Sequence, residues 1–110
     1  MSDAAAPRLV RTVVCSYTRE ELPTSWLRVF HRLEHAMVRA GLRVDVRLLP
    51  LEDLPEDVDV LVVPPELADR ARDLRAGARV ITTTRHEAAA TVQRMVADLQ
   101  GGGEIYAERR

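Results

Sequence analysis

Short β-branched runs alternate along this chain with segments of helical periodicity, and that alternation restricts it to an α/β fold built on a mostly parallel sheet. Leu9–Tyr17 holds Val10, Val13, Val14 and Cys15 in a mostly apolar run, the pattern of a strand buried on both faces. From Thr24 or Ser25 to about Ala40, residues Trp26, Val29, Phe30, Leu33 and Met37 share one helical face, and Gly41 supplies a stop. Arg43–Leu49 sets Val44, Val46 and Leu48 against Arg43, Asp45 and Arg47, as a half-buried edge strand does. Asp59–Val63 is continuously apolar after its first residue and reads as a central strand. Pro64 and Pro65 end it and open a short Arg-rich helix over about Glu66–Leu74. Ala78–Thr83 reads as the fourth strand. Thr84 and Glu87 then have capping-box spacing before a helix over about Arg85–Leu99, whose stripe is Ala88, Val92, Met95, Val96 and Leu99.

Right-handed crossovers place these four strands in the spatial order 2-1-3-4 with helices on both faces, a three-layer sandwich around a four-stranded mostly parallel sheet. The link between the second and third strands is short for a parallel crossover, which usually takes a dozen residues or more. An irregular segment or one helical turn has to serve there. The expected organisation is a flexible N-terminus over 1–7, one α/β domain over 8–100 and a Gly-initiated C-terminal tail over 101–110. That tail is either loose or docked through Ile105 and Tyr106.

Composition removes several functions. All 16 basic residues are arginine, so a Walker A loop and a Schiff-base site both lack their lysine. A formal net charge of −1 and only four aromatic residues (Tyr17, Trp26, Phe30, Tyr106) argue against nucleic acid as a partner. No apolar run reaches the roughly 18 residues that insertion into a bilayer requires, and the N-terminal stretch is not a secretory signal. The single cysteine cannot form an internal disulfide and fits a cytoplasmic location.

In an open parallel sheet, ligands bind beyond the carboxyl ends of the strands, at the switch point. The pattern delivers Cys15 and Ser16, Pro64 and Pro65, and Thr82 to His86 to that rim. A loop, Ser16 to Thr24, leads from Cys15 to a helix N-terminus, whose free amides suit an anion and lower the pKa of a nearby thiol. Cys15 is therefore the candidate nucleophile; the alternative is that it serves as a small hydrophobic residue of a buried strand. Ser16, Tyr17, Thr18, Arg19, Thr24 and Ser25 are the candidate phosphate-binding loop residues, and Thr83, Thr84 and His86 the candidate rim contacts. His31 and His35 stand four apart on a helix, but without a third ligand at metal spacing they read as a polar face, and no metal or other cofactor is expected. Arg70, Arg72 and Arg75, among Asp69 and Asp73, read as a salt-bridged helical surface.

The stretch Arg11-Thr-Val-Val-Cys15, the loop and helix after it, and Leu51–Val63 together resemble the enzyme IIB component of the bacterial phosphoenolpyruvate–sugar phosphotransferase system, of the lactose, cellobiose and mannitol type, over about residues 8 to 100. The resemblance implies a phosphocysteine at Cys15. Its phosphoryl group would come from a phosphohistidine on a IIA-like donor and pass to a sugar held by a membrane permease. The loop departs from the family pattern: Ser16-Tyr-Thr-Arg-Glu-Glu-Leu-Pro-Thr24 has no glycine, is longer, and carries Glu20 and Glu21, which repel a thiophosphate dianion unless they point away. Those departures imply the alternative, a divergent, non-catalytic IIB-like interaction or regulatory domain that binds a protein partner.

Overall fold

The computed structural model describes residues 7–20, 24–101 and 103–110. The expected flexible start, apart from Pro7, lies outside the described residues, as do Glu21 and Pro23 of the loop. The elements in chain order are β1 (Arg8–Leu9), β2 (Thr12–Tyr17), α1 (Thr24–Arg39), β3 (Asp45–Pro50), β4 (Val60–Val63), α2 (Ala68–Leu74), β5 (Arg79–Thr82), α3 (Ala88–Leu99) and β6 (Ile105–Tyr106). Single 3-10 turns occupy Leu51–Asp53 and Pro65–Leu67. The chain is an α/β fold. Its main sheet has four parallel strands in the order β3-β2-β4-β5, and β1 pairs with β6, also in parallel.

The two central strands carry the core on both sides. Along β2 and β4 successive side chains alternate, so Val13, Cys15, Val60 and Val62 join Leu33, Met37 and Met95 of α1 and α3. Val14, Leu61 and Val63 join Leu51, Leu54 and Val58 of the β3–β4 connection and Ala68 and Ala71 of α2. Burial of both faces explains why Val13–Cys15 and Val60–Val63 read as continuously apolar, whereas β3, at the edge, alternates. No helix among the described residues is long and apolar enough to cross a membrane.

The run Leu9–Tyr17 is two strands, not one. Arg8 and Leu9 pair with Ile105 and Tyr106, and the chain then shifts to the main sheet at Thr12. Asp59 holds the break: its carboxylate accepts the backbone N–H of Arg11 at 2.8 Å and of Thr12 at 3.1 Å. Asp59→Ala leaves two backbone donors without their acceptor, that of Thr12 in a partly buried place. It is expected to lower the unfolding free energy by about 1–3 kcal/mol, read by urea unfolding against wild type.

The C-terminal segment is docked. Ile105 and Ala107 are buried, the Ala107 N–H donates to the Leu99 carbonyl at 2.9 Å, and the Arg43 N–H donates to the Glu108 carbonyl at 2.7 Å. Of the two alternatives for the tail, loose or docked through Ile105 and Tyr106, the structure takes the docked one. The segment lies against the exit of α1, where the Arg110 N–H donates to the Gly41 carbonyl at 2.9 Å; Gly41 leaves α1 with φ +70, where a side chain is strained, and the Leu42 N–H reaches back to the Met37 carbonyl at 3.0 Å.

Two helices begin later than their patterns suggest. Arg85–Glu87 forms a turn and α3 starts at Ala88; Pro65–Leu67 forms a 3-10 turn and α2 starts at Ala68. The Thr84–Glu87 pairing is present, with the Glu87 N–H on Thr84 Oγ1 at 3.3 Å and the Thr84 hydroxyl on Glu87 Oε1 at 3.0 Å, but it closes the turn ahead of the helix. The short crossover is managed by the Leu51–Asp53 turn together with Arg75. Arg75 follows α2 and does not join a surface ion pair: its Nε donates to the Pro55 carbonyl at 2.7 Å, and its guanidinium also reaches the Leu54 carbonyl. Those carbonyls lie in a stretch without strand partners, and the guanidinium satisfies them.

Candidate functional site

β2 continues two residues past Cys15, so the thiol does not stand at the carboxyl end of its strand. Ser16 Oγ donates to the Leu49 carbonyl at 2.8 Å, and Tyr17 stays in register with Pro50. Cys15 itself sits opposite Leu48 on one side and Val62 on the other, 0% exposed, in the core shared with Trp26 and Val29. Burial pushes its thiol from 9.0 up to about 12. A thiolate nucleophile requires the opposite environment, electropositive and partly exposed.

A cleft of about 270 Å³ opens where the expected rim lies, across the carboxyl ends of β2, β4 and β5. Tyr17 and Thr18 follow β2, Pro64 and Pro65 follow β4, Thr83 and Thr84 follow β5, and Trp26 of α1 forms a wall. With the strand order β3-β2-β4-β5, the boundary between β2 and β4 is where the chain reverses its direction of winding. The period of two along β2 determines what arrives there. Tyr17 shares the face of Cys15 but lies two residues further on, so the ring, not the thiol, reaches the rim.

Of the residues expected at the site, Tyr17, Thr18, Thr83 and Thr84 are brought together at the cleft. Ser16 is buried, its hydroxyl committed to Leu49. Arg19 is turned to the β3–β4 connection, where its guanidinium pairs with Asp53 and its N–H donates to Glu52 Oε1 at 3.0 Å; Arg70 meets the same carboxylate at 3.1 Å. The hydrogen bond and charge of Asp53 raise the Arg19 pKa, and backbone N–H donors, Glu52's own first and then Arg19's, lower that of Glu52. The one cation of the loop is therefore already matched by carboxylates. Thr24 and His86 line a neighbouring depression with Arg28, Arg32 and Arg85. The Ser25 side chain lies outside the described residues.

Glu66 and Leu67 also line the cleft and were not singled out by the pattern; Arg85, within the stretch Thr82 to His86 expected at the rim, lines it too. Trp26 reads from its periodicity as a core residue. It is 5% exposed yet forms part of the cleft wall, and its Nε1–H has no acceptor among the described residues.

The floor beside the cleft is held by a buried polar pair. Thr83, 2% exposed, shares a 2.8 Å hydrogen bond between its hydroxyl and that of Thr91 on α3, and contacts the Thr84 carbonyl at 3.2 Å. Thr83→Val leaves the Thr91 hydroxyl buried and unpaired and is expected to cost about 1–3 kcal/mol, whereas Thr83→Val with Thr91→Val together cost less than either alone. A double-mutant cycle by denaturant unfolding reads this directly.

With this geometry in hand, comparison of the chain with protein-family models and with curated proteins found no match.

Proposed function

We propose that the chain is a non-catalytic IIB-like domain, an interaction or regulatory module that engages a protein partner at the carboxyl-end rim of its sheet. The observation that carries this reading is the seat of Cys15, wholly inside the core with its thiol pushed up to about 12. A phosphocarrier cysteine has to meet a phosphohistidine on another protein, and here Tyr17 and Thr18 occupy the rim in its place. The matched Arg19 points the same way, because it leaves the loop without a spare cation to hold a phosphoryl dianion.

The IIB-like part of the reading is supported by layout. Counting the four strands of the main sheet in chain order, β3-β2-β4-β5 corresponds to 2-1-3-4, and apolar cores on both sides of that sheet support a three-layer sandwich. A cytoplasmic location belongs to the same proposal.

The test has two arms. The chain is incubated with phosphorylated IIA-type donors and with a small phosphoramidate, and its intact mass is measured; no phospho-adduct is expected. An adduct that disappears in Cys15→Ala would overturn the proposal in favour of phosphotransfer to a sugar. In the second arm, proteins captured by the wild-type chain are compared with those captured by variants. The captured set is expected to survive Cys15→Ala and to be lost in Tyr17→Ala with Arg85→Ala. A set lost in Cys15→Ala and retained in the rim variant would sink it.

A further inference from the structure

The chain has a formal net charge of −1, yet its positive groups are unevenly placed. α1 and α3 pack side by side, and the groove between their exposed faces begins next to the rim cleft at Arg85. Arg28, Arg32, Arg39 and Arg85 line it, and all three histidines of the chain, His31, His35 and His86, stand along the same face. These four arginines are exposed and form no ion pair among the described residues, nor do Arg43, Arg75, Arg94, Arg109 and Arg110, whereas Arg8, Arg11, Arg19, Arg47, Arg70, Arg72 and Arg79 each meet a carboxylate; what sets the four apart is that they line one groove. Among the described residues no carboxylate lines the groove; Glu34 stands 3.7 Å from His31.

The other end of the groove is apolar and shallow. Ala36, Ala40, Val92, Val96 and Ala97 form its floor, with Gln93 and Gln100 at the edge. Small side chains allow a backbone to approach closely, and from Arg28 to Arg39 the basic edge runs about 17 Å at 1.5 Å per helical residue, three turns. A guanidinium row along one edge and an aliphatic floor along the other match a helix with carboxylates on one side and apolar residues on the next. A nucleic acid fits less well, because among the described residues no Phe, Tyr or Trp lines the groove to stack a base and the aliphatic floor offers it nothing.

We propose that the α1–α3 groove is a docking site for an acidic amphipathic helix of a partner protein, its carboxylates on Arg28, Arg32 and Arg39 and its apolar side chains over Ala36 and Val96. This rests on the reading of the chain as a binding module and adds the chemistry of what it binds. A phospho-adduct on Cys15 would overturn that reading; the outcome below bears on the groove alone.

The full chain is used as bait to select from a display library of random 16-residue peptides, with Arg28→Glu/Arg32→Glu as the counter-selection bait. Both arginines are exposed, so the double variant is expected to keep the wild-type melting temperature, and this is checked first. Enriched peptides are expected to be acidic with apolar residues at helical spacing. They should bind the wild-type chain at least about tenfold more tightly than the double variant, lose affinity as salt rises, and shift amide resonances of α1 and α3. A double variant that does not fold is replaced by Arg32→Ala with Arg39→Ala, and the same contrast is required. The proposal is overturned by no enrichment, by enriched peptides that lack acidic residues or bind both baits equally, or by a single-stranded RNA of similar charge that binds the groove more tightly than the selected peptides.

Discussion

At pH 8 the Cys15 thiol of the folded chain is expected to react with iodoacetamide at least about a thousandfold more slowly than the same thiol in the unfolded chain. A rise from 9.0 to about 12 removes roughly three powers of ten of the thiolate, the only nucleophilic form. Occlusion by the core on Cys15's face of the sheet slows the reaction further, so labelling proceeds through transient unfolding and its rate tracks global stability. Labelling at the rate of a free cysteine would place the thiol at the surface and revive its candidacy as a nucleophile.

The same burial links stability to pH. Above its ordinary value the thiol ionises in the unfolded chain, while in the folded chain it stays protonated until about 12. In that window the unfolded state binds fewer protons than the folded one, so stability falls as pH rises, by at most about 1.4 kcal/mol per pH unit from this group. Below pH 9 the contribution is complete and flat. The measurement is urea unfolding of wild type and Cys15→Ala from pH 7 upward. The alanine variant starts less stable because of the small cavity it leaves, and it is expected to lose stability less steeply above pH 9. Alanine is the better control than serine here, since Cys15→Ser buries a hydroxyl among apolar neighbours at a cost of about 1–3 kcal/mol.

Leu33→Ala is expected to be the most damaging single truncation, at about 2–5 kcal/mol. Leu33 is fully buried at the middle of α1, on the stripe that packs against the sheet. Its neighbours on that face, Val29 and Met37, are held by the same strands and cannot close the gap without shifting α1. A domain of this size commonly has only about 5–15 kcal/mol in total, so the variant sits near the folding limit at 37 °C. Thermal unfolding by circular dichroism reads the effect. A loss below about 1 kcal/mol would mean that α1 re-seats freely on the sheet. Because α1 also carries the basic edge of the groove, that result would weaken the geometric basis of the docking proposal as well.

Much of the architecture was legible because it depends on local periodicity. Val13 to Cys15 and Val60 to Val63 read as central strands because both of their faces are apolar. Val44, Val46 and Leu48 read as an edge strand because only one face is. The stripe Trp26, Val29, Leu33 and Met37 identifies α1 without any tertiary information. The rim of the sheet was legible too, since the residues after each strand must arrive there, and Tyr17, Thr18, Thr83 and Thr84 do. Periodicity does not report where hydrogen-bond partners come from. The break at Arg11 and the late starts of α2 and α3 were therefore not visible, and for Ile105 the pattern left docked and loose both open. The break and the docking are decided by groups distant in sequence, Asp59 on the backbone of Arg11 and Thr12 and β1 on β6, whereas α3 starts late because the Thr84–Glu87 turn closes ahead of it.

By itself, then, the sequence of this protein determined its class, its central strands and the edge of the sheet at which a ligand site would form, because hydrophobic pattern and strand–helix alternation are local properties of the chain. The state of Cys15 was decided only in three dimensions. A strand advances by two residues for each return to the same face, and two further residues of pairing with β3 carry Tyr17, not the thiol, to the rim. Core packing then surrounds Cys15 with apolar side chains, and the low-dielectric interior holds it neutral. The basic groove is likewise a tertiary fact: Arg28, Arg32, Arg39 and Arg85 come from two parts of the chain, and only the packing of α1 against α3 sets them along one edge.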